Sequence, residues 1–212
     1  LLNAAENGKK NGAEGFLNTD WGDGGHHQYL PISYLGFLAG AAYSWSVEKS
    51  RGIDLQGALD IFVFRDGSGT LGKAAYELGK VNEETGVLPV NAGIFNRLLF
   101  WDMTDKKALD GLEAAKLLKC LKRFDELAEA NISSKPEIPD GQLVKSELLN
   151  SMAMARLGIN KALYALGGKI EASRLKKDLL NVISMHEELW LARNRIGGLH
   201  ESSNRLRSAL SK

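Results

Sequence analysis

The chain has 212 residues, long enough for one large domain or for a small one with an appendage. Its hydrophobic fraction of 44% and charged fraction of 25% are those of an ordinary globular protein. The 27 basic and 26 acidic residues, mixed along the chain, leave a net charge of +1. That balance argues against a nucleic-acid partner, whose footprint needs a basic excess on one face. The single cysteine, Cys120, excludes an internal disulfide. No apolar run reaches the roughly 20 residues of a membrane span, so no membrane partner is expected.

The opening Leu1-Leu2-Asn3-Ala4-Ala5-Glu6-Asn7 reads as the middle of an amphipathic helix, with neither an initiator Met nor a signal peptide. A piece of a longer chain is therefore expected. The helix, residues 1–10, ends at Asn11-Gly12. A strand is expected at Gly15-Phe16-Leu17-Asn18-Thr19, running into the Gly-rich segment Asp20-Trp21-Gly22-Asp23-Gly24-Gly25-His26-His27. Pro31 then sits near the start of an apolar helix from Ile32 to Trp45, along which Tyr34, Phe37, Leu38, Ala41 and Ala42 keep 3–4 spacing.

From about residue 54 the pattern is helical. Long helices are predicted over 105–131, 142–166 and 171–194, with a last one over about 199–210 after the Gly197-Gly198 break. Val144, Leu148, Met152, Ala155, Ile159, Leu163 and Leu166 form one stripe; Leu175, Leu179, Val182, Ile183, His186 and Trp190 form another. Ile159 should be buried, and Lys161, two positions on, should lie on the polar face. Cys120, among Leu117, Leu121 and Phe124, reads as a buried reduced thiol, and His186 as a hydrogen-bonded core histidine. Short connections at Ser133–Pro139 and Gly167-Gly168 suit adjacent helices of a bundle.

Several motifs invite a chemical reading. Gly67-Ser68-Gly69-Thr70-Leu71-Gly72-Lys73-Ala74 satisfies G-x-G-x-x-G and nearly matches a phosphate loop, with Ile61-Phe62-Val63-Phe64 before it and Leu98-Leu99-Phe100-Trp101-Asp102 downstream as candidate strands. Ala74, however, has no hydroxyl for Mg²⁺, and the parallel strands of a nucleotide fold are lacking. Asp125-Glu126 is an acidic pair inside a helix; neighbours there point about 100° apart and cannot converge on one bond. His26-His27 beside Asp23 lacks a third ligand at a familiar spacing, and Asp20 and Asp23 do not fit a calcium loop, so no metal is expected. No cofactor is expected either. What remains is Asn18–Gly25, polar, aromatic and flexible at a strand's C-terminal end, where a (β/α)₈ barrel builds its active site. An indole face beside a carboxylate suits a sugar; the alternative is a tight turn with a core Trp.

At these residues the chain resembles a known family. Glu14–His26, followed by Leu30–Phe37 and Gly40–Trp45, is similar to the last strand and helix of the catalytic barrel in glycoside hydrolase family 20, the β-N-acetylhexosaminidases. The likeness is to the bacterial branch whose barrel is followed by a helical C-terminal domain. Glu188–Leu199 resembles that branch's terminal R-N-R-P-G-G-L segment, with Ile196 in place of Pro. The resemblance implies a mainly α chain: residues 1–50 a helix-strand-helix remnant of the (β/α)₈ barrel, residues 51–212 an all-α helical bundle. It implies a parent enzyme that removes non-reducing terminal N-acetylhexosamine from glycans by a substrate-assisted retaining mechanism. The partners implied are such glycans and the missing N-terminal barrel of the same chain, in the cytoplasm, with a homodimer left open. The family's catalytic Asp-Glu pair would lie before Leu1, leaving no catalytic residue in this chain. Carried over from the last-strand W-x-[ED] pattern, Trp21 would line the acetamido pocket and Asp23 would accept hydrogen bonds from O4 and O6. A nucleotide-binding protein using Gly67–Ala74 and a purely structural helical interaction module are the alternatives.

Overall fold

In the computed structural model, which describes residues 1–90 and 92–210, the chain is mainly helical. Helix α1 (Leu2–Lys10) is followed by an irregular segment, then α2 (Leu30–Trp45) and a short α3 (Val47–Ser50). Helix α4 (Leu55–Ala58) runs into one wide π-helical turn, Leu59–Phe64, before α5 (Leu71–Leu78). Helix α6 (Ile94–Phe100) precedes three long helices, α7 (Ala114–Ser133), α8 (Gly141–Ala165) and α9 (Ala172–Arg193). Helix α10 (Leu199–Arg207) and a 3₁₀ turn, Ser208–Leu210, close the chain.

Helices at 1–10, 32–45, 142–166 and 171–194 form where apolar spacing predicts them. Two secondary-structure expectations fail. The strand at Gly15–Thr19 is not formed: the segment takes no regular secondary structure, and among the described residues the only β pairing is a bridge between Asp66 and Pro136. A strand's hydrogen bonds must come from a neighbour, and none lies alongside. The helix expected over 105–131 starts only at Ala114, because Gly111 takes a left-handed backbone (φ 79°) between a 3₁₀ turn at Lys106–Leu109 and α7. The two apolar runs before and after the glycine loop are helical, in keeping with the helical pattern read from about residue 54: Phe62 belongs to the π turn and Leu98 to α6.

Helix α8 is the axis of the bundle and packs against α2, α6, α7 and α9. One side (Val144, Leu148, Met152, Ile159) joins Leu59, Phe64, Leu71, Leu98, Leu117 and Phe124 in the larger core. Another (Met154, Leu157) joins Leu175, Val182, Leu189 and Leu206 in a second. Cys120 lies in the first core, and burial pushes its thiol up.

The expectation for Lys161 is overturned by this arrangement. It is fully buried, and its ammonium donates to the carbonyls of Leu99 (3.0 Å), Trp101 (2.9 Å) and Ala209. The carbonyls at and just after the end of α6 have no partner within that helix, so a cation there meets both their hydrogen bonds and the helix dipole. Burial pulls the amine down to about 8. It thus stays largely charged at neutral pH and keeps three N–H donors, one for each carbonyl.

Ile159→Ala should cost about 2–5 kcal/mol through the cavity it leaves. Lys161→Met keeps the stem but strands three buried acceptors, each worth about 1–3 kcal/mol, so it should lose at least about 2 kcal/mol in urea unfolding. A loss within the roughly 0.5 kcal/mol typical of surface sites would contradict the buried role.

Candidate functional site

The segment from Asn18 to Tyr29 is laid along α2 and tied down at both ends. The Asn18 amide donates to Gly36 O (2.8 Å), Asp20 accepts from Ser33 Oγ (2.7 Å), and Gln28 donates to Trp21 O (2.5 Å). Between these ties the chain reverses through three consecutive left-handed residues, Gly24 (φ 67°), Gly25 (φ 106°) and His26 (φ 52°). Two are glycines, for which this conformation carries no Cβ penalty; His26 adopts it at a cost of order 1–3 kcal/mol.

A buried hydrogen-bond chain holds this loop to the bundle. Asn150 of α8 donates to Tyr29 Oη (2.8 Å), which meets His186 Nδ1 (2.9 Å) on α9. His186 Nε2 meets Ser202 Oγ (2.8 Å) on α10, and Ser202 Oγ donates to Gly25 O (2.5 Å). The direction is determined by its ends. Ser202 spends its only proton on Gly25, so it accepts from His186 Nε2–H; His186 Nδ1 then accepts from the Tyr29 hydroxyl. The imidazole is therefore neutral. Burial, with His27 close by, depresses His186 to about 4, and burial likewise raises the Tyr29 hydroxyl. His27 adds a second tie, its Nε2 meeting Ser202 O (3.0 Å), and burial lowers its pKa as well.

The loop thus held presents Trp21 and Asp23 to a cleft of about 610 Å³. Its walls come from the loop (Trp21, Asp23), from α2 (Ile32), from the start of α6 (Phe95, Asn96) and from α8 (Ser151). Trp21 is 73% exposed, its indole N–H donating to Thr19 Oγ1 (3.2 Å), so it is not a core residue. Asp23 is exposed. The two expected site residues are brought to one cavity; the contribution of α6 and α8 to it had no signal in the sequence, since their lining residues belong to ordinary helical faces.

The other motifs resolve differently. In the glycine loop, the carboxylate of Asp66 accepts from the backbone N–H of Ser68 (3.1 Å), Leu71 (2.9 Å) and Lys135 (3.1 Å) and from the Ser68 hydroxyl (2.7 Å). Burial works against this carboxylate, but the hydrogen bonds outweigh it and hold it at about 2. The amides a phosphate would need are occupied by the chain's own anion. Gly72 is required by close packing: a Cβ there would run into Gln56 O and Asp60, whose carboxylate takes the Gly72 N–H (2.6 Å). Asp125 and Glu126 sit on the exposed face of α7 in separate ion pairs, with Arg156 and Arg123. His186 is the hydrogen-bonded core histidine expected. No cluster of metal-ligating side chains occurs among the described residues, and no helix there is long and apolar enough to cross a membrane.

No protein family, curated protein or solved structure matches this chain.

The buried histidines set a pH dependence. His186 has a folded pKa (about 4) below its ordinary 6.5, so between these values the unfolded chain takes up a proton that the folded one refuses. Stability should fall as pH drops from about 6.5 to about 4, with His27 acting in the same direction. Asp66 is also depressed, from 3.8 to about 2, so its contribution is lost in a separate, lower window. Urea titrations at pH 7, 5 and 3 should show both, and His186→Gln should flatten only the upper one.

Proposed function

We propose that this chain is the C-terminal part of a family 20 glycoside hydrolase, a β-N-acetylhexosaminidase that removes non-reducing terminal N-acetylhexosamine. The observation that carries the reading is the pairing of an exposed indole and an exposed carboxylate, Trp21 and Asp23, on one anchored loop bordering one open cleft. An indole offers the apolar face that a sugar ring or N-acetyl methyl needs, and a carboxylate beside it accepts hydroxyl protons. Trp21 then lines the acetamido pocket, and Asp23 binds O4 and O6.

The same reading makes residues 1–50 the last strand and helices of a (β/α)₈ barrel and residues 51–212 an all-α domain. In support, large apolar side chains stand exposed in the first part: Leu17 at 86%, Trp45 at 92%, and Phe37 on α2. Exposed apolar surface of this kind is what a missing neighbour would cover. The irregular segment at 15–19 would then find its hydrogen bonds in a preceding barrel strand. In the substrate-assisted mechanism the sugar's own acetamido oxygen attacks the anomeric carbon, an Asp orients that group and the next Glu protonates the leaving oxygen. Asp125 and Glu126 are unsuited to these roles, being ion-paired on an outer helix face, so we assign the pair to residues outside this chain.

Two measurements test the proposal. The 212-residue chain alone should show no turnover of an aryl N-acetylglucosaminide above a buffer blank, since the general acid, worth about 10²–10⁴-fold, is supplied elsewhere. In the intact hydrolase, Asp23→Ala should lower kcat/KM roughly 10- to 150-fold, the value of a hydrogen bond to a charged group, and shift the ratio of activities on the gluco and galacto epimers, which differ at O4. Trp21→Ala should reduce kcat at least as much as it raises KM, because the attacking oxygen is no longer held. Near-native kinetics for Asp23→Ala with an unchanged epimer ratio would falsify the sugar-binding role.

A further inference from the structure

His26 is a strained residue whose ring neither lines that cleft nor forms a link of the buried hydrogen-bond chain. Its left-handed backbone follows two left-handed glycines, and the reversal returns its ring onto the loop's own start. There it covers Gly22, the residue between Trp21 and Asp23: a Cβ at position 22 would collide with Nδ1 and come within 2.9 Å of Cε1 and Cγ. On its other side the imidazole meets the ring of Trp190 edge to face, with centroids 6.0 Å apart and planes at 85°. Trp190 is itself fixed. It is buried on α9, donates its indole N–H to Arg195 O (2.8 Å) and packs on His186 with centroids 5.8 Å apart. The histidine lines a second cleft, about 410 Å³, together with Asp20, Trp190 and Arg193, so the loop runs as a wall between two cavities.

We infer that His26 is a positioning residue: wedged between Trp190 and Gly22, its ring sets the directions in which Trp21 and Asp23 leave the backbone. The inference rests on the sugar-binding reading of those two residues. A non-glycine residue keeps a left-handed backbone only where its surroundings hold it there. Here the holding contacts are the two rings and the bare Cα of Gly22, and what they orient is the pair of side chains that face the sugar. Misplacement of about 1 Å at such a site is enough to cost 10²-fold in rate.

The test is a double-mutant cycle in the intact hydrolase, with an aryl N-acetylglucosaminide and its galacto epimer as substrates. His26→Gly keeps the left-handed turn accessible and removes the wedge. It should lower kcat/KM at least about tenfold and shift the epimer ratio while the protein stays folded by melting temperature. His26→Asn tolerates the same backbone but is too short to reach both Gly22 and Trp190, and should behave alike, which covers the case of a His26→Gly protein that fails to fold. Gly22→Ala should displace the ring and produce a similar loss alone, but cost less than about threefold more in the His26→Gly background, because coupled neighbours are not additive. Losses that add in full, or kinetics and epimer ratio within twofold of wild type for both His26 variants, would overturn the positioning role. Distinguishing this from the reading beneath it requires only Asp23→Ala: no effect there removes the sugar site itself, whereas an effect there with silent His26 variants removes only the wedge.

Discussion

A helix packed against four others cannot surrender the polar residues of its inner faces to water, and α8 carries three of them. Glu147, Asn150 and Lys161 are each almost wholly buried. Each has a partner of matching chemistry from a different part of the chain. Glu147 takes a two-pronged hydrogen bond from Arg193 (2.6 and 2.7 Å), Asn150 donates to Tyr29, and Lys161 serves the carbonyls behind α6 and near the C-terminus. Replacing such groups by well-packed apolar ones is often neutral for stability, whereas leaving one without its partner is costly. Their effect is to select one arrangement of the surrounding pieces. The end of α9, the loop before α2 and the end of α6 each have one position on α8 that satisfies a buried group.

The same three residues explain what the sequence hid. Glu147, Asn150, Met154, Leu157 and Lys161 fall at steps of three and four, a second stripe beside the one running through Val144, Leu148, Met152 and Ile159. With three of its five members polar, it reads as a solvated face under the rule that an outer helix shows polar residues to water. Only a helix surrounded by others breaks that rule, and the surroundings are a tertiary fact. The strand at Gly15–Thr19 fails for a related reason, since strand structure is conferred by a neighbour while helical structure is carried within the segment. The glycine loop mimics a phosphate loop because Asp66-x-Ser68-x-Thr70 is a carboxylate-centred turn, whose own anion takes the place a phosphate would hold.

Around the site the legible part was chemical and the illegible part geometrical. Trp21 and Asp23 stand out as an aromatic–acidic pair in a flexible stretch, and they do border one cleft. The cleft's far wall on α6 and α8, and the ring of His26 lodged beside Gly22, depend on where distant helices pass. Arg193 ties this to the bundle's polar interior. Its hydrogen bonds to Glu147 raise its already high pKa, so the charge that braces the second cleft is permanent over the whole working pH range.

The one-way sense of the chain from Asn150 through Tyr29, His186 and Ser202 to Gly25 has a bearing on how this molecule can change over evolutionary time. Asn150 starts the chain with one of its two amide N–H groups, the other donating to Val182 O, and Tyr29, His186 and Ser202 each hand one proton forward, so none of these can be exchanged for a residue with the opposite donor and acceptor pattern without stranding the next. Ala at Ser202 would orphan the imidazole N–H and the Gly25 carbonyl together; Phe at Tyr29 would strand one N–H of Asn150, which keeps its bond to Val182 O, and the Nδ1 of His186. A lineage walking by single steps meets a destabilised intermediate at every such exchange. The chemistry thus favours keeping these four side chains whole or replacing them in concert, while the loop they hold is free to alter what it displays.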